Sequence, residues 1–101
     1  MPGGTVPILL PPAETRPALT NLISRAPDDA MLYRLRAQEA EVALDFVAAE
    51  ADWKSYAQHT SDSYAGQIEL ADFYHRRIRP REELATLSAA TAVKEIGRAH
   101  V

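Results

Sequence analysis

The stretch from Pro27 to Thr60 constrains the fold most, because its apolar residues recur at helical spacing in two consecutive blocks. Two alanines lie at the centre of the first stripe, and the second stripe carries large aromatic side chains. The two stripes are Tyr33, Ala37, Ala40 and Leu44, then Ala49, Trp53, Tyr56 and Thr60. Spacings of three and four residues are typical of amphipathic helices. Only a short turn around Asp45 and Phe46 separates the blocks, so we predict two antiparallel helices in contact.

The same plan recurs after this stretch at a constant interval. Ala71 follows Ala37 at the same interval at which Ser61 follows Pro27. Pro27 ends the preceding element, and Asp28 or Asp29 can accept the free amide hydrogens of a new helix. We therefore predict a repeat of helical hairpins.

This pattern, with its interval, resembles the tetratricopeptide repeat, a 34-residue helix-turn-helix unit. Tyr33 matches the large residue of the first helix, Ala37 and Ala49 match the two small positions, and Trp53 and Tyr56 follow them. The resemblance implies an all-α fold of antiparallel helix-turn-helix repeats, forming a right-handed solenoid of about five helices.

The sequence departs from the repeat pattern at three positions, which are Arg36, Ala40 and Glu83. The family usually has leucine, often tyrosine, and alanine at these places, in that order. A charged residue at the leucine position is the departure that most needs a structural explanation.

The register of this repeat divides the chain into five segments. We predict a Pro-rich coil at 1–13, the second helix of a preceding half repeat at 14–26, a full repeat at 27–62, a second and truncated repeat at 63–95, and a non-native tail at 96–101. The fifth helix is expected from Arg81 to about Val93, with Leu84 and Leu87 turned inward.

The last six residues look like a non-native sequence. Ile96 to Val101 reads IGRAHV, which looks like the translation of a widely used sequencing-library adapter. We therefore expect the natural protein to continue beyond Glu95, and we assign no function to the tail. The loss of a following repeat would leave Leu84, Leu87 and Val93 partly uncovered and favour self-association.

Composition narrows the classes of partner and compartment. The 101 residues include no cysteine, so a disulfide or a thiolate metal site is excluded. This favours the cytoplasm and leaves export open. The net charge of −3 and the pI near 5.5 disfavour nucleic acid and anionic membrane surfaces as partners. The apolar run from Val6 to Leu10 is too short for a membrane span.

The sequence contains no combination of residues that favours catalysis. Its serines lack a glycine-rich elbow, and its four glycines form no phosphate loop. Asp72 and His75 have a spacing that can present two metal ligands, but no second such pair occurs, so a solvated helix face is favoured. We predict a protein that is not an enzyme and has no cofactor or metal.

The run from His75 to Arg81 is the strongest local charge feature, with four arginines in seven residues. The favoured interpretation is a solvated turn between helices, where basic residues suit the carboxyl end of a helix. Pairing with an acidic protein segment is the second interpretation, and nucleic acid is the third.

The resemblance also implies where a partner would bind. In this family the first helices line a concave groove, which on this register contains Met31, Arg34, Gln38, Glu41, Asp72, His75 and Arg76. We therefore expect a protein-interaction scaffold, part of a longer and bacterial protein, with a protein or peptide partner. The alternatives are a self-associating helical bundle and an accessory domain of an enzyme whose catalytic part is missing.

Overall fold

The computed structural model describes the backbone of residues 12–99 and the side chains of residues 14–95. This part of the chain contains five helices and no strand, which confirms the predicted all-α fold class. The helices are α1 (Pro12–Arg25), α2 (Ala30–Val42), α3 (Phe46–His59), α4 (Ser63–Arg76) and α5 (Pro80–Ala99). Each helix packs against the next one along the chain.

Aspartates at the predicted helix starts accept backbone amide hydrogens. Asp29 accepts from Met31 N at 3.1 Å, so it is Asp29 rather than Asp28 that caps α2. Asp45 caps α3 and Asp62 caps α4, each by accepting from the amide three residues further on. Such a cap satisfies one of the unpaired amides in the first helical turn.

The turns of the two hairpins, α2–α3 and α4–α5, have the same backbone hydrogen bonds, displaced by one repeat. Asp45 N donates to Ala40 O at 2.8 Å, and Arg79 N donates to Tyr74 O at 3.0 Å. In each turn a second, shorter-range bond is also made, from Leu44 to Glu41 O and from Ile78 to His75 O. This pair of bonds defines the Schellman motif, which ends a helix tightly enough to start an antiparallel one.

The central residue of each turn lies in the left-handed region, with φ of 61° at Leu44 and 56° at Ile78. Glycine is the usual residue there, because a Cβ atom crowds the backbone in this conformation. The prediction that Leu44 continues the apolar stripe of α2 is therefore wrong. The stripe ends at Ala40, and the turn rotates Leu44 outward into solvent.

The core lies between α2, α3 and α4. Alanines of α2 and α3 let the two backbones approach closely, and aromatic side chains from α3 and α4 fill the remaining space. Its buried members are Ala37, Ala40, Ala49, Trp53, Tyr56, Ala57, Leu70, Phe73 and Tyr74. The predicted burial of Ala37, Ala40, Ala49, Trp53 and Tyr56 is confirmed.

Gly66 lies where α4 packs closely against the end of α3. A Cβ atom at this position would lie 2.6 Å from Thr60 Cγ2 and 3.0 Å from Ala57 Cα. The small residue therefore permits the crossing of the two hairpins.

Helix α1 is longer than predicted at its amino end. It begins at Pro12, so the predicted coil over 1–13 is wrong for its last two residues. Proline suits the first helical position because its missing amide hydrogen would have no partner there. Leu19 and Ile23 are buried, whereas Leu22 faces solvent. The predicted coil and apolar run before Pro12 lie outside the described residues.

Helix α5 differs most from its prediction. It extends to Ala99 instead of ending near Val93. Thr86 and Ala90 are its buried side chains within the described part. Leu84 is 67% exposed and Leu87 is 37% exposed, so the inward placement of both is wrong. The backbone at 96–99 continues the helix, while the non-native origin of the tail stays a prediction.

Within residues 12–99, none of the helices is both long enough and apolar enough to cross a membrane.

Candidate functional site

Helices α2 and α4 run side by side in the same direction and are joined by two ion pairs. Arg34 Nε lies 2.9 Å from Glu69 Oε1. One to two turns further along, Arg76 donates to both carboxylate oxygens of Glu41, at 3.0 and 2.9 Å. In both pairs the partners are 35 residues apart, so the first helices of successive hairpins are connected in register.

The Glu41 carboxylate also anchors the main aromatic residue of the core. Trp53 Nε1 donates to Glu41 Oε2 at 2.8 Å, and the Arg76 guanidinium lies 6.0 Å from the indole centroid. Burial alone would raise the pKa of Glu41, but hydrogen bonds from Arg76 and Trp53 hold it below its ordinary value. Glu41 therefore stays ionised and connects α2, α3 and α4.

The structure places the seven predicted groove residues on these two helices. Met31 and Gln38 of α2, and Asp72 and His75 of α4, are exposed. Arg34, Glu41 and Arg76 take part in the two ion pairs between the helices. The side chain of His75 contacts Glu83 of α5, with Nδ1 3.0 Å from Oε2. We call the surface formed by these seven residues and Glu69 the α2–α4 face.

The ion pairs change the electrostatic character expected for this face. Both of its arginines are neutralised by glutamates, and Asp72 has no cationic group within 4 Å in the described part of the chain. The face therefore carries a small excess of negative charge at Asp72, and Met31 adds an exposed thioether near the start of α2. The predictions from the sequence did not include the pairing of Arg34 and Arg76 within the protein.

Glu69 is the member of this face that sequence reasoning missed. A usable signal existed, because each arginine has an acid 35 residues away, one repeat plus one residue along the chain. Opposite charges at that spacing on successive first helices indicate a bridge between repeats.

A partly buried ion pair accounts for Arg36, the residue that departs from the leucine expected from the repeat resemblance. Arg36 donates from Nε and Nη2 to the two carboxylate oxygens of Asp52, both at 2.8 Å, and from Nη1 to Thr20. Asp52 is buried. Arg36 therefore forms a bidentate pair with α3 and also reaches α1 through Thr20.

Next to this pair lies an open depression of about 210 Å³ between α1, α2 and α3. It is lined by Arg16, Thr20, Arg36, Ala48, Ala51 and Asp52. Both of its guanidinium groups already bind carboxylates, since Arg16 contacts Glu39 at 2.7 Å and Asp45 at 2.8 Å. The depression therefore offers no free cation to an anionic ligand.

The basic run of α4 and α5 divides into paired and unpaired arginines. Arg79 is held by Glu50 at 2.9 Å and Glu82 at 2.7 Å. The guanidinium of Arg77 lies 4.0 Å from the centroid of the Phe46 ring, and its Nε has no hydrogen-bond partner. Contacts within the protein therefore already engage some of the arginines of this run.

Within the described residues, no group of three histidine, aspartate or glutamate side chains lies close enough to hold a metal ion. Asp72 and His75, the pair with metal-ligand spacing, are both exposed, and His75 contacts Glu83.

Comparison of the chain with protein-family models, with curated proteins and with solved structures gives no match.

Proposed function

We propose that this chain is a tetratricopeptide-like helical repeat that binds a segment of a partner protein on the α2–α4 face. The observation that carries this proposal is the pair of ion bridges 35 residues apart, which hold two first helices side by side. The Schellman turn, which recurs one repeat later, supports the assignment to a repeat class. The function is that of an interaction scaffold rather than an enzyme.

The chemistry of the face suggests the kind of segment that it binds. Because Glu41 and Glu69 neutralise its two arginines, an acidic peptide gains no ion pair there without breaking one. Met31 provides an apolar contact, and Asp72 provides an unpaired carboxylate. A neutral or weakly basic segment with one or two apolar side chains is the best match.

The test is a selection of random 12-residue peptides on the immobilised full chain, followed by fluorescence anisotropy of the enriched sequences. Gln38→Arg places a bulky cation on the face, and Gln58→Arg makes the same change on the exposed side of α3. We expect Gln38→Arg to weaken binding at least tenfold and Gln58→Arg to leave it unchanged. Both variants should keep the parental melting temperature, since exposed helix positions change stability by less than about 0.5 kcal/mol.

Equal effects of the two substitutions would contradict the α2–α4 face as the binding site. Enrichment of no peptide, together with concentration-dependent sedimentation, would favour self-association instead.

A further inference from the structure

Four aliphatic side chains project into solvent around the two hairpin turns. Val42 is 80% exposed, Leu44 74%, Val47 83% and Ile78 84%. The turns are neighbours in space, because Arg77 of the second turn stacks on Phe46 at the start of α3. We call the surface formed by these four residues, Arg77 and Arg81 the turn edge. A concentration of exposed aliphatic side chains on one edge is typical of an interaction site.

At two of the four positions the exposed aliphatic residue also has an unfavourable backbone conformation. Leu44 and Ile78 occupy the same place in the two turns, and both have positive φ. Glycine would relieve the crowding of the backbone and remove an exposed apolar side chain at once. An isoleucine is especially unfavourable there, since its branched Cβ adds to the crowding. Neither side chain packs in the core, so core packing does not explain why these two residues are aliphatic.

The turn edge also carries two arginines without carboxylate partners. Among the described residues, no carboxylate oxygen lies within 4 Å of Arg77 or Arg81, although Arg76 and Arg79 are both ion-paired. Stacking on Phe46 fixes the guanidinium of Arg77 before any partner arrives. An arginine held in this way beside apolar side chains is a common arrangement at the centre of protein interfaces.

We infer that the turn edge docks a partner-protein segment that carries aliphatic side chains next to a carboxylate. The aliphatic groups would cover Leu44, Val47 and Ile78, and the carboxylate would accept hydrogen bonds from Arg77. This surface is distinct from the α2–α4 face, and its partner has the opposite charge preference. The inference shares with the proposed function only the premise that the chain binds proteins.

An anionic lipid surface fits the edge less well. Glu82 and Glu83 lie in the first turn of α5, directly beside Arg81. They offset the positive charge that would attract a membrane surface.

The experiment uses peptides enriched from a random 12-residue library on the immobilised full chain, sorted by which variants they fail to bind. We expect one class to combine two or more aliphatic residues with an aspartate or glutamate. For this class, Leu44→Gly with Ile78→Gly should weaken binding at least tenfold while raising the melting temperature by about 4 °C or more. Loss of binding in a more stable protein excludes unfolding as the cause.

A matched pair of variants tests the charge. Arg77→Met keeps an unbranched side chain against Phe46 and removes the cation, and Arg25→Met makes the same change on the exposed end of α1. Arg77→Met should weaken the aliphatic-acidic peptides about tenfold, and Arg25→Met should not. Gln38→Arg should leave this class unaffected, which separates the turn edge from the α2–α4 face.

Three results would overturn the inference. The first is enrichment of peptides that lose affinity only with Gln38→Arg, which would leave the proposed function standing. The second is enrichment of no aliphatic-acidic class. The third is co-sedimentation with vesicles of anionic phospholipid that Leu44→Gly with Ile78→Gly abolishes, which would make the edge a membrane contact.

Discussion

The two hairpins share a turn but differ in how their second helices pack. In the first hairpin, α3 buries five side chains, which are Ala49, Asp52, Trp53, Tyr56 and Ala57. In the second, α5 buries only Thr86 and Ala90 within the described residues. The difference lies in their neighbours, since α3 packs against both α2 and α4, whereas in the described part α5 packs against α4 alone.

The turns depend on local sequence, whereas the burial of a helix depends on distant parts of the chain. The Schellman turns follow from a few consecutive residues, so they recur faithfully from one hairpin to the next. Burial of a helix requires partners on both sides, so α5 repeats the backbone position of α3 without its buried side chains. We expect the first hairpin and α4 to contribute most of the free energy of unfolding.

The largest expected effect compares Trp53 with Leu87, which occupy the same position in the two hairpins. Trp53 is 3% exposed and Leu87 is 37% exposed. Trp53→Ala should cost about 3 to 5 kcal/mol, because it leaves a cavity and removes the donor to Glu41. Leu87→Ala should cost about 1 kcal/mol, since less apolar surface is lost from the interior. Urea titration followed by circular dichroism measures both, and similar losses would contradict the comparison.

The next effect concerns Asp52, the buried carboxylate of the first hairpin. The equivalent position in the second hairpin is Thr86, which is also buried. Asp52→Ala should cost about 2 kcal/mol, less than a fully buried pair, because Arg36 is partly accessible to water. The double variant Arg36→Met with Asp52→Ala should recover most of this loss by removing the unpaired cation. If the double variant is no more stable than Asp52→Ala, the pair is not coupled in the way described.

A smaller effect tests the crossing between the hairpins. In an exposed helix, glycine to alanine is stabilising, but Gly66→Ala places a methyl group against Thr60 and Ala57. We expect a loss of about 1 kcal/mol, because the added methyl group overpacks this contact. Ser88→Ala, at an exposed position of α5, serves as the control and should leave the melting temperature almost unchanged. A more stable Gly66→Ala variant would show that α3 and α4 are further apart.

The smallest effect is the dependence of stability on pH. Interactions with Arg76 and Trp53 lower the pKa of Glu41, and those with Tyr74 and Arg79 lower the pKa of Glu50, in each case against the effect of burial. Their stabilisation is therefore present above the ordinary value of 4.5 and is lost as the pH falls through the lowered pKa. Melting temperatures should decline below that value, and Glu41→Gln should reduce the decline. An unchanged decline in this variant would exclude Glu41 as a contributor.

The sequence predicted the parts of the fold that depend on local patterns. Stripes of alanine and aromatic residues located α2 and α3, and the constant interval from Ala37 to Ala71 located α4. It failed at Leu44, Leu84 and Leu87, where helical spacing alone suggested burial. A turn that reverses the chain redirects Leu44, and burial of Leu84 would require a neighbour that the described part of the chain does not supply.

The candidate site was predictable in position but not in chemistry. The register placed Arg34 and Arg76 on successive first helices, and the structure places them there. Their pairing with Glu69 and Glu41 depends on the lateral offset of α2 and α4, and only the 35-residue spacing of opposite charges could have indicated it. The contact of Arg36 with Asp52, 16 residues away, was also not foreseen.

Amide hydrogen exchange, measured residue by residue on the full chain, tests the unequal packing of the two hairpins most directly. Exchange rates report the local free energy of opening, which depends on buried contacts. We predict the slowest exchange in α2, α3 and the centre of α4, and exchange at least a hundredfold faster in α5 beyond Ala90. Protection that extends undiminished through α5 to Glu95, or faster exchange in α3 than in α5, would contradict the account.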